Sequence, residues 1–263
     1  MTKVVFILLG TVGTCWAGCS TENLCGIPGG KQADAVEVVL KQLNLKTKQL
    51  KSYQVQVEYK LIQPVFESTT LRKGALYYAK SGKKTKLRIN FGTLKQDDEK
   101  EQKYREEFIF DGVWLTHINY QTKQVRLHQL AEPNKPVEAF EFVGKNFPIV
   151  GFAGIGDMKK QFEIKLIEQQ GGEKDKFHQL HLKVRPNSIH KDKYKSIDFW
   201  IDKKLGLPAR LVAISIEDDI HRIKLVKPKV NKKLNTKIFE VKIPKGFGKE
   251  IIPMKKKAKS ELD

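Results

Sequence analysis

Residues 33–50 place apolar side chains at helical spacing: Val36, Val39, Leu40, Leu43 and Leu50 fall on one face of a predicted helix. After Ser52 the period changes to two. Tyr53, Val55, Val57, Tyr59 and Leu61 alternate with Gln, Glu and Lys. The same alternation returns in Leu87-Ile89-Phe91, Phe108-Phe110, Val125-Leu127 and Leu180-Leu182-Val184. It continues in Ile197-Phe199-Ile201, Val212-Ile214-Ile216, Ile223-Leu225 and Phe239-Val241-Ile243. Turn residues bound these runs, among them Asp111-Gly112, Gln121-Thr122, Pro186-Asn187 and Leu205-Gly206-Leu207-Pro208. Alternation with a polar outer face argues for an antiparallel sheet and against βαβ units. About ten strands in one chain must curl or close.

Residues 137–165 break the pattern. Phe140, Phe142, Phe147, Ile149, Val150, Phe152, Ile155, Met158 and Phe162 are interleaved with Gly144, Gly151, Gly154 and Gly156. This reads as short mobile helices and loop between two sheet halves. The first thirty residues are also distinct. Lys3 precedes an apolar run over residues 4–13, followed by Cys15-Trp16-Ala17-Gly18-Cys19. The run is of signal-peptide length and shorter than the roughly 20 residues of a spanning helix. The expectation is an exported, periplasmic chain. Ala17-Gly18-Cys19 is similar to a bacterial lipobox, with Trp16 where Leu is usual. Lipidation needs a thiol at the new N-terminus to take the diacylglyceryl group, which makes Cys19 the candidate anchor. Cleavage after Ala17, leaving Cys19 and Cys25 free to pair, stays open beside it. The parts are then a signal peptide (1–18), a tether (19–32), a folded domain (33–248) and a basic, disordered tail (249–263).

Composition narrows the function. The chain has 263 residues, with 49 Lys+Arg against 30 Asp+Glu and a net charge of +19. Such a charge invites a nucleic-acid partner. The lysines, however, are spread over the wet faces of strands, and no finger spacing, helix-turn-helix or aromatic RNA-binding stretch accompanies them. A solvated or anionic-membrane-facing surface is the reading, with no specific nucleic acid. His178 and His181, three apart on a strand, point to opposite sides and cannot share a metal. No metalloprotease, nucleophile-elbow or phosphate-loop motif is present, and the turn residues Asp111 and Asp202 suit Asx turns. The expectation is a protein without catalysis, metal or cofactor.

The order of parts resembles the LolA/LolB superfamily of bacterial lipoprotein-sorting proteins. The likeness covers most of residues 33–248. It runs from the first helix through Gln54-Val55-Gln56-Val57-Glu58-Tyr59, Gly74-Ala75-Leu76-Tyr77-Tyr78 and the hairpin Phe110-Asp111-Gly112-Val113-Trp114-Leu115. It goes on through Leu180-His181-Leu182-Lys183-Val184-Arg185-Pro186, Phe199-Trp200-Ile201-Asp202 and Leu207-Pro208, and ends with Asn235, Phe239 and Pro244-Lys245-Gly246-Phe247. The resemblance implies a mainly β fold, an incomplete, strongly curved antiparallel barrel wrapped over the N-terminal helix and a short helical lid. It also implies a hydrophobic cavity for lipid acyl chains or lipoproteins. The carriers hold their lid with an Arg before a Pro; here the stretch reads Ala79-Lys80-Ser81, so that lock is not carried over.

From strand parity, Val55, Val57, Tyr59, Leu87, Ile89, Phe91, Phe108 and Phe110 are expected to line the cavity. Phe147, Ile149, Val150 and Phe152 are expected in a lid over it, hinged near Gly144 and Gly156. The function expected is non-catalytic binding of acyl chains or lipoproteins in the cell envelope, for lipoprotein transport or sorting, by a monomer tethered to a membrane through Cys19. A structural or interaction module whose sheet is filled by its own helices, with a basic face for anionic lipid or polysaccharide, is the alternative.

Overall fold

The computed structural model describes residues 29–82, 84–139 and 155–254. The first element is a helix, α1 (Gly29–Lys48). It begins four residues before the predicted start, within the stretch assigned to the tether. Strands β1 (Ser52–Gln63), β2 (Ser68–Ser81), β3 (Lys84–Gln96), β4 (Gln102–Phe110), β5 (Trp114–Asn119) and β6 (Gln124–Gln129) follow. After the short helix α2 (Ile155–Gln161) come β7 (Phe162–Ile167), β8 (Phe177–Val184), β9 (Tyr194–Asp202), β10 (Leu207–Ser215), β11 (Ile220–Val230) and β12 (Gly248–Ile252).

All twelve strands form one open, curved sheet in the order β12-β6-β5-β4-β3-β2-β1-β11-β10-β9-β8-β7. It is mostly β and antiparallel, as expected, and it is not closed. Among the described residues every pairing is antiparallel except β12 with β6. One face, the inner one, carries α1 and the main apolar cluster. Along this face α1 packs on β7, β10 and α2. Its Val36, Val39, Leu40 and Leu43 are buried, with Leu50 just beyond its end, as the helical spacing predicts.

Several expectations need correction. The described residues form twelve strands, not about ten. Phe162–Ile167 is a strand, not part of a helix-and-loop segment, because Phe162, Ile164 and Leu166 pair with Val184, Leu182 and Leu180. In β10 the inward residues are Leu211, Ala213 and Ser215; Val212 and Ile214 lie on the opposite face and Ile216 is exposed. The short Ala213 faces the core where the larger side chains were expected. Phe239-Val241-Ile243 is not a strand. Thr236–Phe239 is a 3-10 turn started by Asn235, whose Oδ1 accepts from the Lys237 amide, and only Phe239 is buried. Residues 249–252 belong to β12, so the fold continues past 248. The remainder of the predicted tail, from 255, lies outside the described residues, as does the signal segment with Cys19.

Two glycines have steric reasons. Gly74 stands at a register shift between β2 and β3, where an added Cβ would lie 1.8 Å from the Asn90 carbonyl oxygen. Gly206 has φ +66° and lies against the Lys46 side chain, so the β9–β10 turn can close onto the end of α1. Asp111 and Asp202 do serve their own turns. Asp111 accepts from the amides of Val113 and Trp114, and Asp202 from those of Lys204 and Leu205.

Candidate functional site

The antiparallel register lines up side chains of the inner face in rows across the strands. One row reads Val55, Leu76, Ile89, Phe108, then His117, Arg126 and Glu250. The next reads Val57, Gly74, Phe91, then Glu106, Asn119 and Gln124. Both rows are apolar over β1–β3 and turn polar at β4 or β5. The inner face is therefore an apolar floor with a polar border.

All eight residues predicted to line a cavity belong to the floor and to one cluster. Val55, Val57, Leu87, Ile89, Phe91 and Phe110 are buried, while Tyr59 and Phe108 are partly so. The register argument holds, since Gln56 is exposed and Glu58 and Lys60 are not in the core. The four predicted lid residues, Phe147, Ile149, Val150 and Phe152, lie outside the described residues.

The border holds what the sequence pattern missed. Glu106 is 5% exposed on the inner face, in the row of Phe91 and on the side of Phe108 and Phe110. Its two carboxylate oxygens accept from the Arg72 guanidinium and meet His117 Nε2, each at 2.8 Å. The His117 ring also stacks on Phe108 at 4.3 Å, which joins the polar border to the apolar floor. Arg72 lies over the Tyr104 ring at 5.2 Å, and its Nε is buried without a partner. Beyond Arg72, Tyr59 Oη and His221 Nδ1 share a 2.8 Å hydrogen bond. Burial, with smaller effects from Tyr194 and Asp219, pushes the Tyr59 phenol up to about 12. Burial holds His221 below the ordinary histidine value, partly offset by Asp219. A neutral imidazole accepting from a protonated phenol suits both shifts. At the other end of the floor Tyr78 donates to Glu138 at 3.1 Å, and burial followed by that carboxylate raises its pKa.

The adjacent Glu107 is equally buried on the opposite face, where Arg88 and Arg105 donate to it at 2.7 to 3.0 Å. Two consecutive glutamates in a strand of period two must face opposite ways. That pair, between Arg105 and Phe108, was the available signal. Beside the border, His117, Asn119, Thr122, Gln124 and Arg126 line a cleft of about 240 Å³. Among the described residues no group of His, Cys, Asp or Glu is arranged to hold a metal ion. Chemically, the arrangement sets hydrogen-bonding groups at the edge of a buried apolar floor.

No family profile matches the sequence, and no curated protein does. Solved structures do match. An uncharacterized conserved protein from Thermus thermophilus has a TM-score of 0.49 at 12% identity, over 84% of this chain and 99% of that one. MucB has a TM-score of 0.48 at 11% identity, over 80% of this chain and 63% of its own. A LolA superfamily protein from Nitrosomonas europaea has a TM-score of 0.34 at 13% identity, over 78% and 97%. The structural neighbours thus include LolA superfamily proteins. At TM-scores below 0.5, these likenesses bring none of the neighbours' properties to this chain.

Proposed function

We propose that this chain binds lipid acyl chains, free or on a lipoprotein, in the bacterial cell envelope and performs no catalysis. The observation that carries the reading is the inner face itself. Cross-strand rows of Val, Leu, Ile and Phe end at a charge-paired border of Arg72, Glu106 and His117. An amphiphile matches that division, because its chain exchanges water for apolar contact and its head finds donors and acceptors at the edge. The signal-like N-terminus and Cys19 support an envelope location with a lipid anchor. Val55, Val57, Tyr59, Leu87, Ile89, Phe91, Phe108 and Phe110 would contact the chain.

Lipid extraction and mass spectrometry of protein purified from its native membrane is the test, paired with titration of a fluorescent fatty acid. Co-purified acyl lipids and saturable probe binding, weakened by Phe108→Ala in a folded protein, are expected. A folded protein that carries no lipid and takes no probe would overturn the reading. The second reading, a module whose sheet is filled by the chain itself, is favoured by one observation: the chain already buries six of the eight floor residues to 8% exposure or less. In that case no probe binds at all.

A further inference from the structure

The two ends of the sheet differ in charge. At one end lie the β1–β2, β3–β4, β8–β9 and β10–β11 connections, where Glu67, Asp97, Asp98, Glu99, Glu101, Asp192, Glu217, Asp218 and Asp219 outnumber Lys100, Arg185, Lys191 and Lys193. At the other end lie the end of α1, the β2–β3 turn, the β9–β10 turn and the exit of β11. These carry exposed Lys46, Lys48, Lys51, Lys80, Lys84, Lys204, Lys229, Lys232 and Lys233. The same end also holds exposed Asp111, in the β4–β5 turn, and exposed Asp175, just before β8; Asp111 and Asp202 are occupied by the amides of their own turns.

The basic elements are tied into one rigid surface. Asn231 donates from Nδ2 to the Gln49 carbonyl, and its Oδ1 accepts from the amides of Lys51 and Ser52. Ser52 Oγ donates to the Lys232 carbonyl. The Lys80 amide donates to the Lys51 carbonyl. Gly206 closes the β9–β10 turn against Lys46. Within this lysine cluster Leu45 is 55% exposed, one residue before Lys46 and a helical turn from Lys48.

We infer that this end of the sheet docks on an anionic lipid bilayer, with lysines over the headgroups and Leu45 entering the interface. The charge is carried by lysines, compact point charges on long stems that can lie on a fluid anionic surface while their carbons cover apolar neighbours. The exposed cations of this surface are lysines without an arginine fork, and among the described residues no exposed aromatic ring for stacking bases lies with them, as a nucleic-acid groove requires. An exposed leucine among lysines suits a headgroup boundary better than a polyanion in water. The inference is independent of acyl binding on the inner face.

Co-sedimentation of the full chain with phosphatidylcholine vesicles, with and without about 30 mol% phosphatidylglycerol, tests it at low and high salt. Strong partition is expected only with the anionic lipid, and salt should weaken it. The variant K48E/K232E/K233E should lose about tenfold or more in partition. Leu45→Ser should lose a fewfold. The variant K100E/K191E/K193E, at the opposite end and with the same change in net charge, should keep most of its binding; circular dichroism confirms that each variant is folded. Equal losses in the two triple variants would mean that net charge alone acts, and the docking surface would be overturned. Equal binding to both vesicle types, or tighter binding to duplex DNA than to the anionic vesicles, would overturn it as well.

Discussion

Strands β1–β3 and strands β4–β6 belong to one sheet, but β4–β6 bury an apolar cluster on the outer face as well. On β1–β3 the buried residues are inward: Tyr53, Val55, Val57, Leu76, Tyr78, Leu87 and Ile89. On β4–β6 a second cluster of Ile109, Ile118 and Val125 sits on the outer face, with Tyr120, Leu127 and Phe247 packed against it. The cause is the chain after β11. It crosses the outer face, where Arg88 donates to the Ile238 carbonyl at 2.5 Å, and Phe247 meets Tyr120 edge-on at 5.4 Å. It then joins β6 as the parallel strand β12. Once the outer face is covered there, the inner face of the same strands is free to be polar. A sheet can thus turn an apolar floor into a polar border without any change of backbone, by moving its cover from one side to the other.

Strand β4 is the hinge of this comparison, because Glu106, Glu107, Ile109 and Phe110 are all buried. The largest effects are expected there. Phe110→Ala should cost about 3–5 kcal/mol and the adjacent Ile109→Ala about 2–4 kcal/mol in urea unfolding. A surface-like value for Ile109 would show that the second cluster does not hold. The ion networks should separate next. Arg88→Ala leaves buried Glu107 with Tyr120 and the more exposed Arg105, and about 3 kcal/mol of stability should be lost. Arg72→Ala leaves Glu106 with His117 and vacates a guanidinium that is itself 30% exposed, so about 1–2 kcal/mol is expected. The reverse order would break the comparison.

A smaller contrast sets a residue under the outer cover against an exposed isoleucine. Ile118→Ser on β5 should destabilise by about 2–4 kcal/mol, whereas Ile216→Ser beyond β10, 46% exposed, should stay within about 0.5 kcal/mol. Similar values at both sites would mean that the cover over β4–β6 adds nothing.

The smallest effect is that of pH. Burial lowers the pKa of His190 and His221, with Lys193 adding to the first and Asp219 opposing the second. The unfolded chain then binds more protons than the folded one. Stability should be complete above the ordinary histidine value of 6.5 and should fall as pH drops below it toward the folded pKa. His221→Gln should flatten that slope. A stability that rises on acidification through this window would refute the assignment of both rings as buried neutral groups.

Much of this was legible in the sequence. The helix face of Val36, Val39, Leu40 and Leu43, the parity of Val55, Val57 and Tyr59, and the antiparallel sheet with its Asx turns all follow from local periodicity. Burial of one face forces those patterns wherever a single cover lies over a strand. The eight floor residues could be named on that basis. Tertiary structure decided what periodicity cannot carry. In β10, small Ala213 faces inward and Ile214 outward, because the pairing of Leu211 with Phe199 and Ile223 sets which face meets the core. In β4 both parities are buried, since Phe110 joins the inner cluster on one side of the sheet and the returning C-terminal segment covers the other. The Arg72–Glu106–His117 border joins three strands, with partners 34 and 11 residues apart in the chain. No local pattern encodes such a meeting; only the register of the assembled sheet brings the three side chains within hydrogen-bond distance.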